Sequence, residues 1–366
     1  MRQSSLARMP RPPQLSRAGH AFVVRRIQSP GSAEHDHDLQ TPENKRDRWS
    51  SGCSRRLAPI LRYAQRMDNR GLRAETTLRT SVSIEGVGLH SGHPVRVHLR
   101  PAPPGHGLVF VRLDHPDQPI PARLDSAATF DFATTLTAGG VSVGTVEHLL
   151  SAAAGAELDN CRIELEGSEI PILDGSALPF VRLFHAAGFE RQDAWVRPFT
   201  ATRPVEITRG DRSVRFEPDG PGLRITYEID FPHPVVGRQQ LTIAIRPEQY
   251  ATGIAPARTF GFVREAEALR ARGLARGGSL QNAVVLDDTG VASGPLRFRD
   301  EFVRHKILDL LGDLALLQRP LSGHVHARKA GHALHIEFAR ALAAAEETPQ
   351  AHPGVPAAAK TRTARS

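Results

Sequence analysis

Hydrophobic and polar positions alternate along the chain in two successive groups of short segments. In the first group, VRVHL, LVFVRL and CRIELEG show the period of two that half-buried strands produce, and TVEHLLSAAAG has the spacing of an apolar helix. In the second group, PVEIT, SVRFEP, LRITYEIDF and LTIAIRP are followed by the helical pattern HKILDLLGDLALL. Runs of strands with a helix in each half predict an α+β fold of two domains, with a site between them, where pockets often form.

The same patterns place the domain limits. We expect the first α+β domain at residues 75–195 and the second at residues 197–342, with a loose tail of Ala, Pro and Thr at 343–366. Residues 1–70 show neither strand alternation nor a sustained helical stripe, so we interpret them as a disordered basic extension. Because alternation begins directly after Met67, we favour translation from that residue over a real extension with a separate role.

Composition narrows the class of protein. The 366 residues are 40% hydrophobic and 23% charged, as in globular proteins, and no run of about 18 apolar residues predicts a membrane span. The N-terminus lacks the apolar stretch of a secretory signal, so we predict a cytoplasmic location. We also expect a monomer with at most peripheral membrane contact. Cys53 and Cys161 are too few for a disulfide framework or a cysteine zinc site, so His and carboxylate side chains must hold any metal.

The net charge of +8 raises the alternative of a nucleic-acid-binding protein. Residues 1–66 hold 13 Lys and Arg against 5 Asp and Glu, and residues 67–366 hold 34 of each. Attraction to phosphate groups should persist in the folded part of such a protein, which here is neutral. We therefore expect no nucleic-acid partner, and a mobility shift that vanishes on deletion of residues 1–66 would place any such binding in that segment.

Three ionisable side chains recur at four-residue intervals in the apolar segment HKILDLLGD, residues 305–313. Four residues are close to one helical turn, so His305, Asp309 and Asp313 should lie on one face of a helix. A carboxylate buried beside leucines is costly unless it is paired or binds a metal. Taken alone, the spacing favours a His–Asp hydrogen bond that closes a polar seam, and residues from elsewhere are needed to favour a metal site.

Two other segments supply such residues. Glu147 and His148 adjoin on the predicted helix TVEHLLSAAAG, where an imidazole can bind Zn²⁺ while the carboxylate accepts a proton. With His305 and Asp309, His148 completes two imidazoles and one carboxylate, the ligand set of a catalytic zinc site with an open fourth position. His332, in KAGHALHIEF, follows a glycine that lets a loop approach closely. The alternatives stay open: a surface Glu beside a half-buried His, and a helix-terminal His without a role.

Six segments, in order from about Thr77 to Arg340, resemble a known family. They are SIEGVGLHSG, TVEHLLSAAAG, LDNCRIELEGSEIPILDGSALPFV, ARTFGF, FRDEFVRHKILDLLGDL and AGHALHIEF. Together they resemble the UDP-(3-O-acyl)-N-acetylglucosamine deacetylases, zinc amidases that commit a sugar nucleotide to lipid A synthesis in Gram-negative bacteria. The resemblance implies two layered α/β-sandwich domains packed face to face over the zinc. It also implies zinc-dependent hydrolysis of the N-acetyl group of UDP-3-O-acyl-N-acetylglucosamine to the free amine and acetate.

The resemblance further implies a role for each matching residue. His148, His305 and Asp309 would bind the Zn²⁺, although His and carboxylate ligands also accept Fe²⁺. Glu147 would be the general base, and His332 would be the cation that stabilises the oxyanion and protonates the leaving amine.

The remaining residues carried over from the family would support the catalytic groups or contact the substrate. Asp313 would orient and charge the catalytic His, and Thr259 would donate its hydroxyl to the developing oxyanion. The substrate contacts implied are Lys306, Phe260, Asp230, Phe231 and Arg212, and Asp174 would help to bind substrate from behind these residues. The segment 260–288 would form a hydrophobic passage for the acyl chain of the acylated UDP-sugar, although its periodicity alone predicts only a helix, a turn and a strand. The alternative enzyme is another zinc-dependent amidohydrolase on an N-acetyl sugar, indifferent to nucleotide and acyl chain.

Overall fold

Short strands outnumber helices in this computed structural model, which describes residues 25–26, 72–130, 132–199 and 201–346. The strands are β1 Arg25–Arg26, β2 Ala74–Leu78, β3 Val82–Val87, β4 Pro94–Pro101, β5 Leu108–Arg112, β6 Ile120–Pro121, β7 Ala127–Thr129, β8 Thr135–Ala138, β9 Val141–Val143, β10 Cys161–Glu166, β11 Phe189–Trp195, β12 Val205–Arg209, β13 Arg212–Glu217, β14 Leu223–Phe231, β15 Gly237–Ile245, β16 Phe260–Phe262, β17 Val284–Leu286 and β18 Gly323–Arg328. The helices are α1 Glu147–Ala156, α2 Leu178–Ala187, α3 Pro247–Gly253, α4 Val263–Ala271, α5 Glu301–Leu314 and α6 His332–Ala345. The α+β class predicted from the sequence is confirmed.

The larger sheets of the two halves share one topology. In the first sheet the order is β1-β3-β4-β10-β5-β6, so the late strand β10 lies between two hairpins, antiparallel to β4 and parallel to β5. In the second sheet the order is β12-β13-β18-β14-β15, and the late strand β18 is likewise antiparallel to β13 and parallel to β14. The likeness of the two halves in sequence pattern therefore extends to the way in which their strands pair.

Strand β4 shows why the alternating segments form half-buried strands. Val95, Val97 and Leu99 are buried, while the residues between them are half-buried or exposed. Val97 pairs with Leu165 of β10 on one side and with Ile84 of β3 on the other, and both partners are buried as well. The paired strands thus present one continuous apolar face, and the buried apolar side chains of both halves join in a single core.

Helices α1 and α5 bring the two halves together at a close crossing. A Cβ atom placed on Gly312 of α5 would lie 2.2 Å from the carbonyl oxygen of Glu147, at the start of α1. Glycine is required there because any side chain would hold the two backbones apart. The crossing places the first turn of α1 beside the last turn of α5, and both turns carry candidate functional residues.

Some expectations fall at the limits of the described residues. Of the segment 1–70, only Arg25–Arg26 is described, and it pairs with β3, while the rest lies outside the described residues. Helix α6 continues to Ala345, past the expected domain end at residue 342, and the tail beyond residue 346 lies outside the described residues. The domain limits therefore stay predictions.

The segment 260–288 begins and ends in a small two-stranded sheet. Strands β16 and β17 pair in parallel, and helix α4 lies between them in the chain. Within the described part of the chain, none of the helices has the length and apolar character needed to cross a membrane.

Candidate metal centre

One stripe of helix α5 carries four ionisable side chains at four-residue intervals. Glu301, His305, Asp309 and Asp313 are all buried, with at most 4% of each residue exposed. The sequence prediction covers the last three and misses Glu301, one turn earlier, although the same spacing indicates it. Buried ionisable groups need partners, and other elements supply them here.

His148 of α1 joins His305 and Asp309 in a compact cluster. One nitrogen or oxygen atom of each residue lies within 4.8 Å of the corresponding atoms of the other two. The Nε2 atoms of His148 and His305 lie 3.9 Å and 3.2 Å from the same oxygen, Oδ1 of Asp309. The two imidazole rings are nearly perpendicular, with centroids 5.1 Å apart. Because α1 and α5 cross at Gly312, residues distant in sequence meet at this point.

The protonation of these side chains favours metal binding. The Nδ1–H of His305 donates to the carbonyl oxygen of Ala257 at 3.1 Å, so Nε2 is the nitrogen that faces the cluster. Burial, with His305 nearby, lowers the pKa of His148 to about 3, so that imidazole is neutral. Burial opposes ionisation of Asp309, but His305 and the Lys306 ammonium hold the pKa of its carboxyl well below the usual range. Two imidazole nitrogens and a carboxylate suit a divalent transition metal.

Glu147 lies beside this cluster with a carboxyl group whose affinity for protons is raised. Its Oε2 accepts the backbone N–H of Thr134 at 3.0 Å. Burial raises the pKa of Glu147 to about 7, against the attraction of His332 and with a contribution from the charge of Asp309. A carboxyl group with such a pKa can take up and release a proton near neutral pH.

A second group of buried side chains surrounds Asp313. Its Oδ2 accepts the Nδ1–H groups of His332 at 2.7 Å and of His335 at 2.8 Å, and its Oδ1 accepts the hydroxyl of Thr134 at 2.6 Å. Burial opposes ionisation of Asp313, yet the neighbouring His332 brings its pKa down to about 2. Burial also disfavours the charged form of His332, but Asp313 outweighs it and raises the pKa of His332 to about 9. His332 is therefore a cation at neutral pH.

The two groups meet at the Nε2 atom of His332. It lies 4.0 Å from Oε1 of Glu147 and 3.9 Å from Oδ2 of Asp309. Thr134 also links them, because its N–H is bonded to Glu147 and its hydroxyl to Asp313. A proton acceptor, a proton donor and a metal-binding cluster thus lie side by side, an arrangement that can activate water and protonate a leaving group.

Sequence reasoning misses three residues of this hydrogen-bonded network: His335, Tyr227 and Thr134. His335 lies three positions after His332 on α6, and that helical spacing could have indicated it. Its Nε2 lies 3.0 Å from the hydroxyl of Tyr227, a buried residue of β14. Thr134 lies in the connection between β7 and β8, where no local spacing points to it.

A cavity of about 800 Å³ opens over these groups. Its apolar lining includes Leu89, Phe130, Phe132, Ile172, Phe260 and Phe262, and its charged lining includes Arg209, Asp211, Arg212, Asp230 and Lys329. Thr259 and Lys306 also line it, and the Lys306 ammonium donates to Oδ2 of Asp309 at 2.7 Å. The cavity therefore offers apolar and charged surface within reach of one metal-binding cluster.

Most of the residues expected to contact substrate line this cavity. The ring of Phe231 packs edge-on against Phe260, with centroids 5.6 Å apart. The Lys329 ammonium forms an ion pair with Oδ2 of Asp230 at 2.9 Å. Arg212, the first residue of β13, also lines the cavity.

Asp174 departs from this pattern because it does not line the cavity. Its Oδ1 accepts the backbone N–H and the hydroxyl of Ser176, at 3.0 Å and 2.8 Å. Its Oδ2 accepts Nη2 of Arg297 at 3.0 Å. The protein itself thus occupies this carboxylate, and the expected role of Asp174, behind the residues that contact substrate, stays a prediction.

Most of the chain is similar in sequence to one group of known enzymes. Residues 75–344 match the sequence profile of a family described as UDP-3-O-acyl N-acetylglycosamine deacetylase. A UDP-3-O-acyl-N-acetylglucosamine deacetylase of Oleidesulfovibrio alaskensis is 48% identical over 275 residues, 75% of this chain and 90% of that protein. Proteins of the same name from Myxococcus xanthus and Thermosynechococcus vestitus are 48% and 47% identical, over 73% and 74% of this chain and 85% and 94% of their own lengths. The matched residues include both buried groups described above.

Proposed function

The chain belongs to the UDP-3-O-acyl N-acetylglycosamine deacetylase family, and on this premise we propose that it hydrolyses the N-acetyl group of UDP-3-O-acyl-N-acetylglucosamine. The products are the free amine and acetate, and the reaction commits the sugar nucleotide to lipid A synthesis. The observation that carries the proposal is the buried cluster of His148, His305 and Asp309, with Glu147 and His332 beside it on the same cavity.

The metal of this reaction would be Zn²⁺, and His148, His305 and Asp309 would hold it. The donor set supports this assignment, because both imidazoles offer a nitrogen to the cluster beside an ionised carboxylate. Bound there, Zn²⁺ would act as a Lewis acid that makes water easier to deprotonate near neutral pH and polarises the amide carbonyl. Since the same ligands accept Fe²⁺, metal analysis of the native protein distinguishes the two ions.

Glu147 is the general base. It takes a proton from the attacking water while the new C–O bond forms at the acetyl carbon. Its pKa of about 7 suits this task, because a stronger acid would accept the proton poorly and a weaker one would already carry it at neutral pH. The N–H of Thr134 holds one carboxyl oxygen, which leaves the other available for the proton.

His332 is the general acid. As an imidazolium it stabilises the oxyanion together with the hydroxyl of Thr259, and then gives its Nε2 proton to the amine nitrogen as the C–N bond breaks. Asp313 binds Nδ1–H on the far side of the ring and keeps the ring charged until that step. Proton exchange with solvent then restores Glu147 and His332 for the next turnover.

The polar and apolar parts of the substrate lie against cavity surfaces of the same character. Asp230 and Phe231 hold the uracil, and Arg212 lies near the nucleotide phosphates. Lys306 contacts the substrate close to the metal, and Phe260 begins the apolar surface that receives the 3-O-acyl chain along residues 260–288. The support for this orientation is the presence of both charged and aromatic side chains in the lining.

The location and partners follow from the same substrate. A nucleotide sugar is a cytoplasmic metabolite, so we place the enzyme in the cytoplasm. The acyl chain calls for at most peripheral contact with a membrane. The acylated UDP-sugar is the partner of a monomeric enzyme that does not act on nucleic acid.

Acetate release from UDP-N-acetylglucosamine with and without the 3-O-acyl group tests this proposal. The deacetylase should turn over the acylated nucleotide far faster than the unacylated one. An amidohydrolase indifferent to nucleotide and acyl chain would instead hydrolyse both, and free N-acetylglucosamine, with similar kcat/KM. The proposal fails if the acylated nucleotide yields no metal-dependent acetate.

A further inference from the structure

We propose that the buried pair of Arg258 and Glu301 is a positioning device, which fixes one peptide unit in the wall of the site and through it orients His305 and Thr259. The inference rests on the proposed deacetylase function, because that function gives His305 and Thr259 their roles. Neither member of the pair lines the cavity, so their effect must pass through the residues they hold.

The Glu301 carboxylate accepts four N–H groups, although none of the residue is exposed. Its Oε1 accepts the backbone N–H of Arg258 at 3.0 Å and the Nε–H of the same residue at 2.8 Å. Its Oε2 accepts Nη2 of Arg258 at 3.0 Å and the backbone N–H of Arg297 at 2.6 Å. Charge-assisted bonds in this number hold the carboxylate in one orientation, so the first residue of α5 is tied to two other chain segments.

The backbone N–H of Arg258 belongs to the same peptide unit as the carbonyl group of Ala257. That carbonyl oxygen accepts Nδ1–H of His305 at 3.1 Å. Because a peptide unit is planar, holding its N–H also holds its C=O. Glu301 and His305 are one turn apart on α5 and bind the two ends of this one plane. The bond that orients the imidazole of His305 is therefore set in part by Glu301.

Thr259 follows Arg258 in the chain, and both its backbone N–H and its carbonyl oxygen are hydrogen-bonded. Its N–H donates to the carbonyl of Gly175 at 2.7 Å, and its carbonyl oxygen accepts the N–H of Val284 at 2.8 Å. Gly175 has φ +85°, and a Cβ atom there would lie 2.2 Å from the carbonyl oxygen of Asn282. Thr259 lines the cavity, and its backbone is thus held by Arg258 on one side and by the Gly175 loop and strand β17 on the other.

Arg297 holds the backbone at Pro256, just before residues 257–259. Its Nη1 donates to the carbonyl of Pro256 at 2.8 Å, and its Nη2 donates to Oδ2 of Asp174 at 3.0 Å. Its backbone N–H is one of the four donors to Glu301. Asp174 therefore belongs to the same frame, which explains why its carboxylate is turned away from the cavity.

The role of the pair can be separated from its contribution to stability. Replacement of a buried ion pair by apolar side chains of similar volume is often neutral or stabilising, whereas removal of one partner leaves the other charge unpaired. An apolar replacement of both residues should therefore fold, while it loses the bond that holds the Arg258 N–H. The effect of the pair on the orientation of His305 and Thr259 can then be measured separately from its effect on folding.

The central experiment compares the double variant Arg258→Met/Glu301→Leu with a matched control pair. Arg73 and Asp159 also form a mostly buried, two-bonded ion pair, at 2.6 Å and 2.7 Å, and neither lines the cavity. The control is Arg73→Met/Asp159→Leu. For each holoenzyme we would measure kcat and KM on the acylated nucleotide, the rate of metal loss to excess chelator, and the thermal unfolding temperature.

We expect Arg258→Met/Glu301→Leu to lower kcat by about 10- to 100-fold and to accelerate metal loss by a similar factor, with KM little changed, as for other residues that orient metal ligands. The control variant should keep both rates near those of the wild type. Wild-type kcat and metal retention in the first variant would overturn the proposal. Equal losses in the control would overturn it as well, because a general loss of rigidity would then be sufficient.

Two single substitutions keep the proposal testable if the double variant does not fold. Glu301→Gln retains the size of the side chain but presents an amide N–H₂ to donors, whereas Arg258→Lys retains the bond between its own backbone N–H and Glu301. Metal loss should therefore be faster in Glu301→Gln than in Arg258→Lys, and an equal or reversed order contradicts the proposal. If the wild type itself does not deacetylate the acylated nucleotide, the proposed function fails, and the order of metal-loss rates still tests the orientation.

Discussion

Replacement of Asp313 with Asn should move the basic limb of the pH–rate profile to lower pH and leave the bound metal in place. Burial by itself would lower the pKa of His332, but Asp313 outweighs it and raises that pKa from 6.5 to about 9. Asn retains an oxygen that can accept Nδ1–H, yet it carries no charge. Because Asp309 and Glu147 still favour the charged ring, we expect the pKa of His332 to fall by about 2 units and not further.

The direction in which each limb of the pH–rate profile runs follows from the protonation states that catalysis requires of Glu147 and His332. Glu147 must be a carboxylate, so the rate rises as pH passes its pKa of about 7, and His332 must be charged, so the rate falls as pH passes its pKa of about 9. A bound cation lowers both pKa values in the wild type and the variant alike, so the displacement between the two proteins is the quantity to compare. A displacement of ~2 units lowers the rate on the order of tenfold one unit below the wild-type limb.

Initial rates of acetate release across the full pH range, with metal content measured on the same samples, give this displacement. Asp159→Asn is the control, because that carboxylate is paired with Arg73 and does not line the cavity. Its basic limb should coincide with that of the wild type. An unmoved basic limb in Asp313→Asn, with metal retained, would show that Asp313 does not set the charge of His332.

Further predictions concern the base, the metal ligands and the helix crossing. Glu147→Gln should retain its metal while kcat falls by about 10² to 10⁴, and loss of metal on elemental analysis would contradict the assignment of a base. His305→Ala should lose metal on dialysis, because two remaining ligands rarely hold Zn²⁺, and full retention would mean that another His is the ligand. Gly312→Ala should lower the free energy of unfolding in urea by about 1–3 kcal/mol, since its Cβ would lie 2.2 Å from a backbone oxygen of Glu147. Gly253→Ala, where the nearest atom would lie at 3.4 Å, is the control and should change stability far less.

The strands could be predicted because alternation is a local property. VRVHL, CRIELEG and LRITYEIDF became β4, β10 and β14, each with its apolar residues on the buried face. Their order in the sheets could not be predicted in the same way. Strands β10 and β18 each insert between two hairpins that precede them in the chain, and many strand edges present similar backbone groups to a late strand.

Asp174 and Thr134 show the same limit at the level of single residues. The resemblance of ILDGSA to a family segment placed Asp174 near the substrate, but only the fold shows that Arg297 and Ser176 occupy its carboxylate. Thr134 contacts both the base and Asp313 from a loop whose sequence has no period. A hydrogen bond from a loop depends on where the chain ends up, so the composition of the loop does not reveal it.

The sequence by itself determined that His305, Asp309 and Asp313 share one face, because 3.6 residues per turn brings every fourth side chain back to nearly the same direction. The tertiary structure alone decided what that face meets. His148 arrives because Gly312 lets two helices cross at backbone contact, and His332 arrives at the start of the last described helix. Such distances depend on how two sheets and their helices pack, and apolar packing is non-directional, so no local period in the sequence encodes them.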